Sequence, residues 1–209
     1  MSESIIRDPL EIERRSFRTI DAEVGPHPFD EQQWPVVRRV IHTTADFDFA
    51  GTTCFAPGVI DSAVAALRRG AKVLSDTNMV LAGVNKTRLA KLGGSIACHV
   101  ADAEVAERAR EQGVTRSILA LRKGVVEGAK IFLIGNAPTA LFELLRLADA
   151  GEVAPALVVG VPVGFVGAEE SKEALFASRL PCIVCRGRKG GSAIAAAIFN
   201  QLLILAAGD

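Results

Sequence analysis

The sequence predicts an α/β fold: a single domain, residues 1–209, with a mainly parallel sheet, helices on both faces and an N-terminal helical segment. Three observations support this fold class. From about residue 57, short apolar runs alternate with helical patterns. The central runs show no polar alternation, which is typical of parallel strands covered on both faces. The length of 209 residues fits one domain better than two.

Two helices are predicted before the alternation begins. LEIERRSFRTIDAEV, residues 10–24, is amphipathic. DEQQWPVVRRVIH, residues 30–42, has an apolar stripe of valine and isoleucine between positions 36 and 41. Arg39 and His42 are three residues apart, so we expect them to share a helical face away from that stripe. Both side chains are therefore candidates for function.

The alternation itself supplies the remaining elements. PGVIDSAVAALRRG is a helix that begins at a proline and stops at Gly70. Five strands are predicted in AKVLSD, SIACHV, KIFLIG, PALVVGVPV and LPCIVCRG. Further helices are predicted in DAEVAERAREQG, NAPTALFELLRLADAG, GFVGAEESKEALFAS and SAIAAAIFNQLLILAA. The last helix is apolar nearly all round, so we expect it to be buried against the sheet or against a partner subunit.

Composition excludes several classes of partner. Lysine plus arginine and aspartate plus glutamate number 24 each, so no net field favours nucleic acid or an anionic membrane. No apolar stretch approaches the roughly 18 residues of a membrane span, and the start of the chain lacks a signal-peptide pattern. The four cysteines are too few and scattered for a disulfide framework. We therefore expect a soluble, cytoplasmic protein with no membrane and no nucleic-acid partner.

The CxxC pair, Cys182 and Cys185, lies within a predicted strand. Residues three apart on a strand point to opposite faces, so we expect two core cysteines rather than a redox pair. No second pair completes a zinc site, and no metal site is predicted. His99 is interpreted as a hydrogen-bonded histidine in or beside a strand.

Three glycine-rich loops, GNAPTA, VGVPVGFVGAEES and RGRKGGSA, follow predicted strands. In parallel sheets the ligand lies beyond the carboxyl ends of the strands, where helix N-termini offer N–H groups. None of the loops has the spacing of a dinucleotide or phosphate loop. Each alone is compatible with simple turn glycines, but together they favour a shared anion site. On these grounds alone His42 remains compatible with a functional or a structural role.

Several segments together resemble the precorrin-8X methylmutase family, including its cobalt-precorrin-8 counterpart. They are RRSF (14–17), RRVIH (38–42), SDTNMV (75–80), TRS (115–117), GNAPTALFELL (135–145), VGVPVGFVGAEESK (159–172) and RGRKGGSA (186–193). The resemblance implies an α/β fold, a homodimer with active sites at the subunit interface, and no cofactor. It also implies an intramolecular methyl migration on a tetrapyrrole of the vitamin B12 pathway, from the carbon flanking ring C to the neighbouring carbon of that ring.

The resemblance also implies roles for particular residues. His42 matches the catalytic histidine, and Ser16 and Arg39 match substrate-contacting residues. The other expected substrate-binding residues match family motifs: Arg116, Asn136, Gly164, Gly190 and Gly191.

The implied chemistry suits the residue types. Arginines and helix N-termini suit a polycarboxylate substrate, and histidine exchanges protons near neutral pH. A non-catalytic corrinoid-binding carrier is the alternative, because it would use the same anion crevice.

Overall fold

The order of helices and strands in the computed structural model, which describes residues 6–208, follows the alternation seen in the sequence. Within those residues the elements run in chain order as follows: α1 (Pro9–Val24), α2 (Gln33–Thr44), α3 (Phe49–Thr52), β1 (Thr53–Phe55), α4 (Val59–Arg68), β2 (Lys72–Ser75), α5 (Asn78–Gly83), α6 (Lys86–Lys91), β3 (Ser95–Ala97), α7 (Ala103–Gln112), α8 (Arg116–Val126), β4 (Ile131–Ile134), α9 (Pro138–Asp149), β5 (Leu157–Gly160), α10 (Ala168–Ala177), β6 (Cys182–Cys185) and α11 (Ser192–Ala207).

Local side chains set several helix ends. Asp8 caps α1 by accepting a hydrogen bond from the Leu10 amide at 3.0 Å, with a proline at the first helical position. Thr77 caps α5 in the same way through the amide of Val80. Gly113 ends α7 in the left-handed conformation at φ 64°, which glycine adopts without steric cost. These helix ends are therefore encoded locally.

The six strands form one sheet in the order β1-β6-β5-β4-β2-β3. All neighbours are parallel except β1, which runs antiparallel to β6 and pairs Thr53 with Cys185. The amide of Arg186 donates to the carbonyl of Thr52 at 2.8 Å. Because β1 runs in reverse, the segment before it lies at the carboxyl end of the other strands. That segment leads back directly to His42 in α2.

Both faces of the sheet are covered, as predicted. Along β4, Ile131 and Leu133 belong to a core built with α2, α4 and α11, whereas Phe132 and Ile134 belong to a second core built with α9. Cys182 belongs to the second core and Cys185 to the first, and both are buried free thiols. The predicted fold class and the interpretation of the CxxC pair as core cysteines are both confirmed.

Helix α11 is the main element of the first core. It packs against α2, α4 and α5 and against strands β4 and β5 of its own chain. Its fully buried side chains include Ile198, Phe199, Leu202 and Leu203. The expected burial of this apolar helix against the sheet is therefore confirmed. Among residues 6–208, no helix is long and apolar enough to cross a membrane.

The structure also contains elements that the sequence reading missed. β1 is a three-residue strand, too short to show a period. The helices α3, α5, α6 and α8 were not predicted, and three of them have six residues or fewer. The strand predicted in PALVVGVPV ends at Gly160, before Pro162, which has no N–H to donate to a neighbouring strand.

Candidate active site

His42 lies in the last turn of α2 with its side chain exposed. It borders an open cavity of about 550 Å³ between the end of α2 and one face of α1. Ser16, Arg15 and Thr19 line the α1 side of this cavity, and Phe47 lines the other side. The structure thus brings together the predicted catalytic histidine and the predicted substrate serine. The Ser16 hydroxyl donates to the carbonyl of Ile12 at 2.9 Å, so its oxygen remains able to accept a further hydrogen bond.

The ring of Phe17 organises the cationic side chains around His42. The imidazole meets this ring edge-on, with 5.3 Å between ring centroids. The guanidinium carbons of Arg38 and Arg39 lie 4.3 Å and 4.8 Å from its centroid. Cations at these distances are attracted to the ring face. One aromatic side chain of α1 therefore fixes two arginines and the imidazole of α2 in a single cluster.

Arg39 has partners on two further elements. Its Nη1 donates to Glu13 Oε1 at 2.6 Å, and its Nε donates to Gln201 Oε1 at 3.3 Å. The side chain also lines a second open groove, of about 420 Å³, floored by small side chains of α11. Arg39 is therefore positioned between α1 and α11, and a substrate carboxylate would compete with Glu13 for it.

Arg116 and Asn136 lie at the starts of α8 and α9, and neither lines the cavity at His42. Both side chains are exposed, one at the first position of α8 and the other just before α9. The hydroxyls of Thr115 and Thr139, in the neighbouring first turns, are 3.0 Å apart. The starts of α8 and α9 are thus in contact through these threonines, while His42 and Ser16 line the cavity between α1 and α2.

The N-terminus of α9 is occupied by a carboxylate of the protein itself. Asp76, buried at the end of β2, accepts hydrogen bonds from the amides of Gly135, Asn136 and Ala137 at 3.1, 2.7 and 2.8 Å. Burial raises the pKa of Asp76, and the three amides oppose that shift. The GNAPTA loop was expected to offer its N–H groups to a ligand. These three are already bonded to Asp76, whereas the side chain of Asn136 is exposed.

The other two glycine loops bind each other. The Gly164 amide donates to the carbonyl of Arg188 at 3.2 Å, and the Gly191 amide donates to the carbonyl of Val161 at 2.8 Å. A Cβ on Gly190 would collide with that same Val161 carbonyl. Gly190 is therefore required by close backbone packing. These contacts hold the two loops that carry the three predicted glycines against each other.

Two lysines that sequence reasoning missed connect these groups. Lys172, fully buried in α10, donates from Nζ to the carbonyl of Lys189 at 2.8 Å. Burial lowers the pKa of Lys172. Lys189 in turn donates to Asp46 and Asp48 at 2.6 and 2.7 Å, in the segment that follows His42. The glycine loops are thereby joined to the histidine end of α2.

A sequence signal for Lys172 was available. Ala168, Ser171, Lys172 and Leu175 are spaced as one helical face, and all four are buried. A lysine at one of these positions is therefore predicted to be buried with the rest of the face. Asp76 lies at the end of the predicted strand AKVLSD and in the SDTNMV motif, but neither pattern indicated that it would bind the GNAPTA loop.

The other histidines have structural contacts. His99 lies between Asp102 and Glu127, with 3.0 Å from each ring nitrogen to a carboxylate oxygen. His27 stacks on Trp34 with 4.0 Å between centroids. The interpretation of His99 as hydrogen-bonded beside a strand is confirmed. In the part of the chain that the structure describes, no three histidine, cysteine or acidic side chains are arranged to hold a metal ion.

Comparison with known proteins places this arrangement in a family. The family model CbiC, precorrin-8X methylmutase, matches residues 11–205. The cobalt-precorrin-8 methylmutase of Priestia megaterium is 47% identical over 199 residues, covering 95% of this chain and 88% of the relative. The precorrin-8X methylmutase of Pseudomonas aeruginosa is 44% identical, covering 94% and 96%.

A solved structure agrees with these sequence relatives. The precorrin-8X methylmutase from Thermus thermophilus superposes with a TM-score of 0.88 at 41% identity, covering 95% of this chain and 97% of that one. Fold and sequence therefore agree over nearly the whole chain. The chain belongs to the precorrin-8X methylmutase family and is an isomerase of cobalamin biosynthesis.

Proposed function

We propose that this chain moves a methyl group within precorrin-8X or cobalt-precorrin-8, and that His42 is the proton donor and acceptor of the reaction. The observation that carries the proposal is the exposed imidazole of His42 at the wall of an open 550 Å³ cavity, across from Ser16. Membership of the methylmutase family supports the substrate class.

The chemistry needs little more than a positioned proton. As the methyl group migrates between neighbouring ring carbons, the conjugated system rearranges and its preferred protonation site changes. His42 gives a proton to the macrocycle and recovers one as the product forms. The enzyme is thereby restored, and the product is an isomer of the substrate. A histidine that can both give and take a proton near neutral pH suits this role.

Cationic and polar groups would hold the substrate during this transfer. Arg39 is proposed to bind a peripheral carboxylate of the macrocycle beside His42, and Ser16 to accept or donate a hydrogen bond across the cavity. Arg116 and the side chain of Asn136 would bind further peripheral groups. Gly164, Gly190 and Gly191 would let the backbone approach the macrocycle closely.

The alternative function is a non-catalytic corrinoid carrier. Incubation of the protein with precorrin-8X or cobalt-precorrin-8, followed by absorption spectroscopy, separates the two. Conversion changes the conjugation of the tetrapyrrole, whereas binding alone causes a modest shift. We expect His42→Ala to keep product binding but to lose turnover by about 100-fold to 10,000-fold. Thr43→Ala, an exposed neighbour in the same turn, is the matched control. A histidine variant that turns over at the wild-type rate would refute the assignment.

We further propose a homodimer in which each active site draws on both subunits. The cavity at His42 is open, and the exposed apolar side chains of Ile12 and Phe47 line it. Ligand sites usually bury most of the ligand, so a second subunit would supply the missing wall. Light scattering gives the oligomeric state. Mixing His42→Ala with Arg116→Ala subunits should restore part of the activity if one site uses both chains, and no recovery would refute the shared site.

A cytoplasmic location is also part of this proposal. The four cysteines are free thiols, a state that a reducing compartment maintains. Fractionation of cells that express the chain would test the location.

A further inference from the structure

The loop between β5 and α10 carries apolar side chains at its tip. Phe165 is 86% exposed and Val166 is 89% exposed. Single exposed apolar residues are common on protein surfaces, but adjacent ones of this exposure are typical of binding surfaces. Neither residue contributes to a hydrophobic core of the chain. The exposure of these two side chains therefore indicates a binding surface.

The backbone holds this tip in a defined place. Gly164 and Gly167 flank it with φ angles of 151° and 75°, which glycine adopts without strain. The Gly164 amide is bonded to the carbonyl of Arg188. Buried Ala168 then begins α10. The tip is thus fixed at both ends, next to the surface formed by Gly190 and Gly191.

A cation lies beside the exposed aromatic ring. The guanidinium carbon of Arg188 is 5.8 Å from the centroid of the Phe165 ring. Its nearest acidic partner, Glu169, is 3.9 Å away, and both side chains are more than half exposed. Such an exposed pair contributes little to stability, so Arg188 can exchange its partner.

We propose that Phe165 and Val166 form an apolar platform for the flat face of the tetrapyrrole, with Arg188 binding one of its peripheral carboxylates. This inference rests on the proposed function. The ligand combines a conjugated, largely apolar face with negative charges at its edge, and the tip combines apolar side chains with a cation at its edge. A second copy of this chain is the rival occupant, and the experiment distinguishes the two.

The test is Phe165→Ala, compared with wild type for binding of the reaction product by absorption titration and for mass by light scattering. Full burial of a phenylalanine side chain predicts binding weaker by about 10-fold to 100-fold, with unchanged mass. Phe165→Leu should retain part of the affinity. Arg188→Ala should weaken binding and reduce its dependence on salt. Phe176→Ala is the matched control, since this phenylalanine is partly exposed in the last turn of α10.

Each outcome decides the question. Weaker binding at unchanged mass supports the platform. Unchanged affinity in Phe165→Ala overturns it, while wild-type conversion leaves the methylmutase function standing. A drop in mass together with weaker binding also overturns it, because the tip is then a subunit contact. If wild type neither binds nor converts tetrapyrrole, the proposed function fails together with the platform.

Discussion

Asp76→Ala should unfold this protein at a markedly lower urea concentration. The carboxylate is 7% exposed and accepts three backbone N–H groups at the start of α9. Of the three donors, Gly135 and Ala137 are buried, whereas Asn136 is exposed and can turn to water. Two buried amides without partners cost about 1 to 3 kcal/mol each. Removing the carboxylate also removes its burial cost, so we expect a net loss of about 3 kcal/mol.

Urea unfolding followed by circular dichroism measures this loss. Asp76→Asn keeps one acceptor oxygen and should lose about half as much, because one amide group then faces an N–H donor. Asp149→Asn, at the exposed C-terminal end of the same helix, should change stability by less than about 0.5 kcal/mol. If the free energy of unfolding of Asp76→Ala lies within about 1 kcal/mol of the wild-type value, the three hydrogen bonds do not stabilise the loop.

Three further changes test other contacts. Glu143→Gln should cost about 2 kcal/mol at neutral pH, since hydrogen bonds from two arginines to this buried carboxylate outweigh burial and lower its pKa. Because the pKa of Glu143 in the folded state lies below the unfolded value of 4.5, the ionised carboxylate stabilises the fold above pH 4.5. This stabilisation is lost as the pH falls through the folded-state pKa, so the free energy of unfolding of Glu143→Gln should not show that loss in acid. Gly190→Ala should lower the thermal midpoint and weaken product binding because its Cβ meets the Val161 carbonyl, whereas Gly51→Ala, with open space around it, should do neither. Lys189→Ala should reduce kcat because it releases the segment after α2. The free energy of unfolding should change by less than about 1 kcal/mol because the ion pairs of Lys189 are partly exposed. An unchanged kcat would show that these ion pairs do not position the segment.

Much of the fold was predictable because its signals are local. Apolar runs without polar alternation located five of the six strands, and helical periodicity with proline and glycine ends located the longer helices except α8, which has 11 residues. The spacing of Cys182 and Cys185 alone placed them on opposite faces of the sheet. Short elements were missed because three to six residues do not establish a period.

The candidate site was predictable in its members but not in its connections. Motif resemblance singled out His42, Ser16 and Arg39, and the structure places the first two on one cavity. Their roles remain predictions. The sequence did not indicate that Glu13 and Gln201 hold Arg39, because Gln201 lies 162 positions away along the chain.

The sequence by itself determined the fold class, the helix ends and the residue types available for chemistry, because each depends on neighbours within a few positions. The tertiary structure decided which of those residues meet. Lys189 reaches Asp46 across 143 positions, and Asp76 reaches the start of α9 across 60. Such contacts depend on strand order and on how helices pack over the sheet, and no local pattern records either. The carboxylate that fills the α9 N-terminus and the lysine that links the glycine loops to the histidine segment are therefore properties of the folded chain.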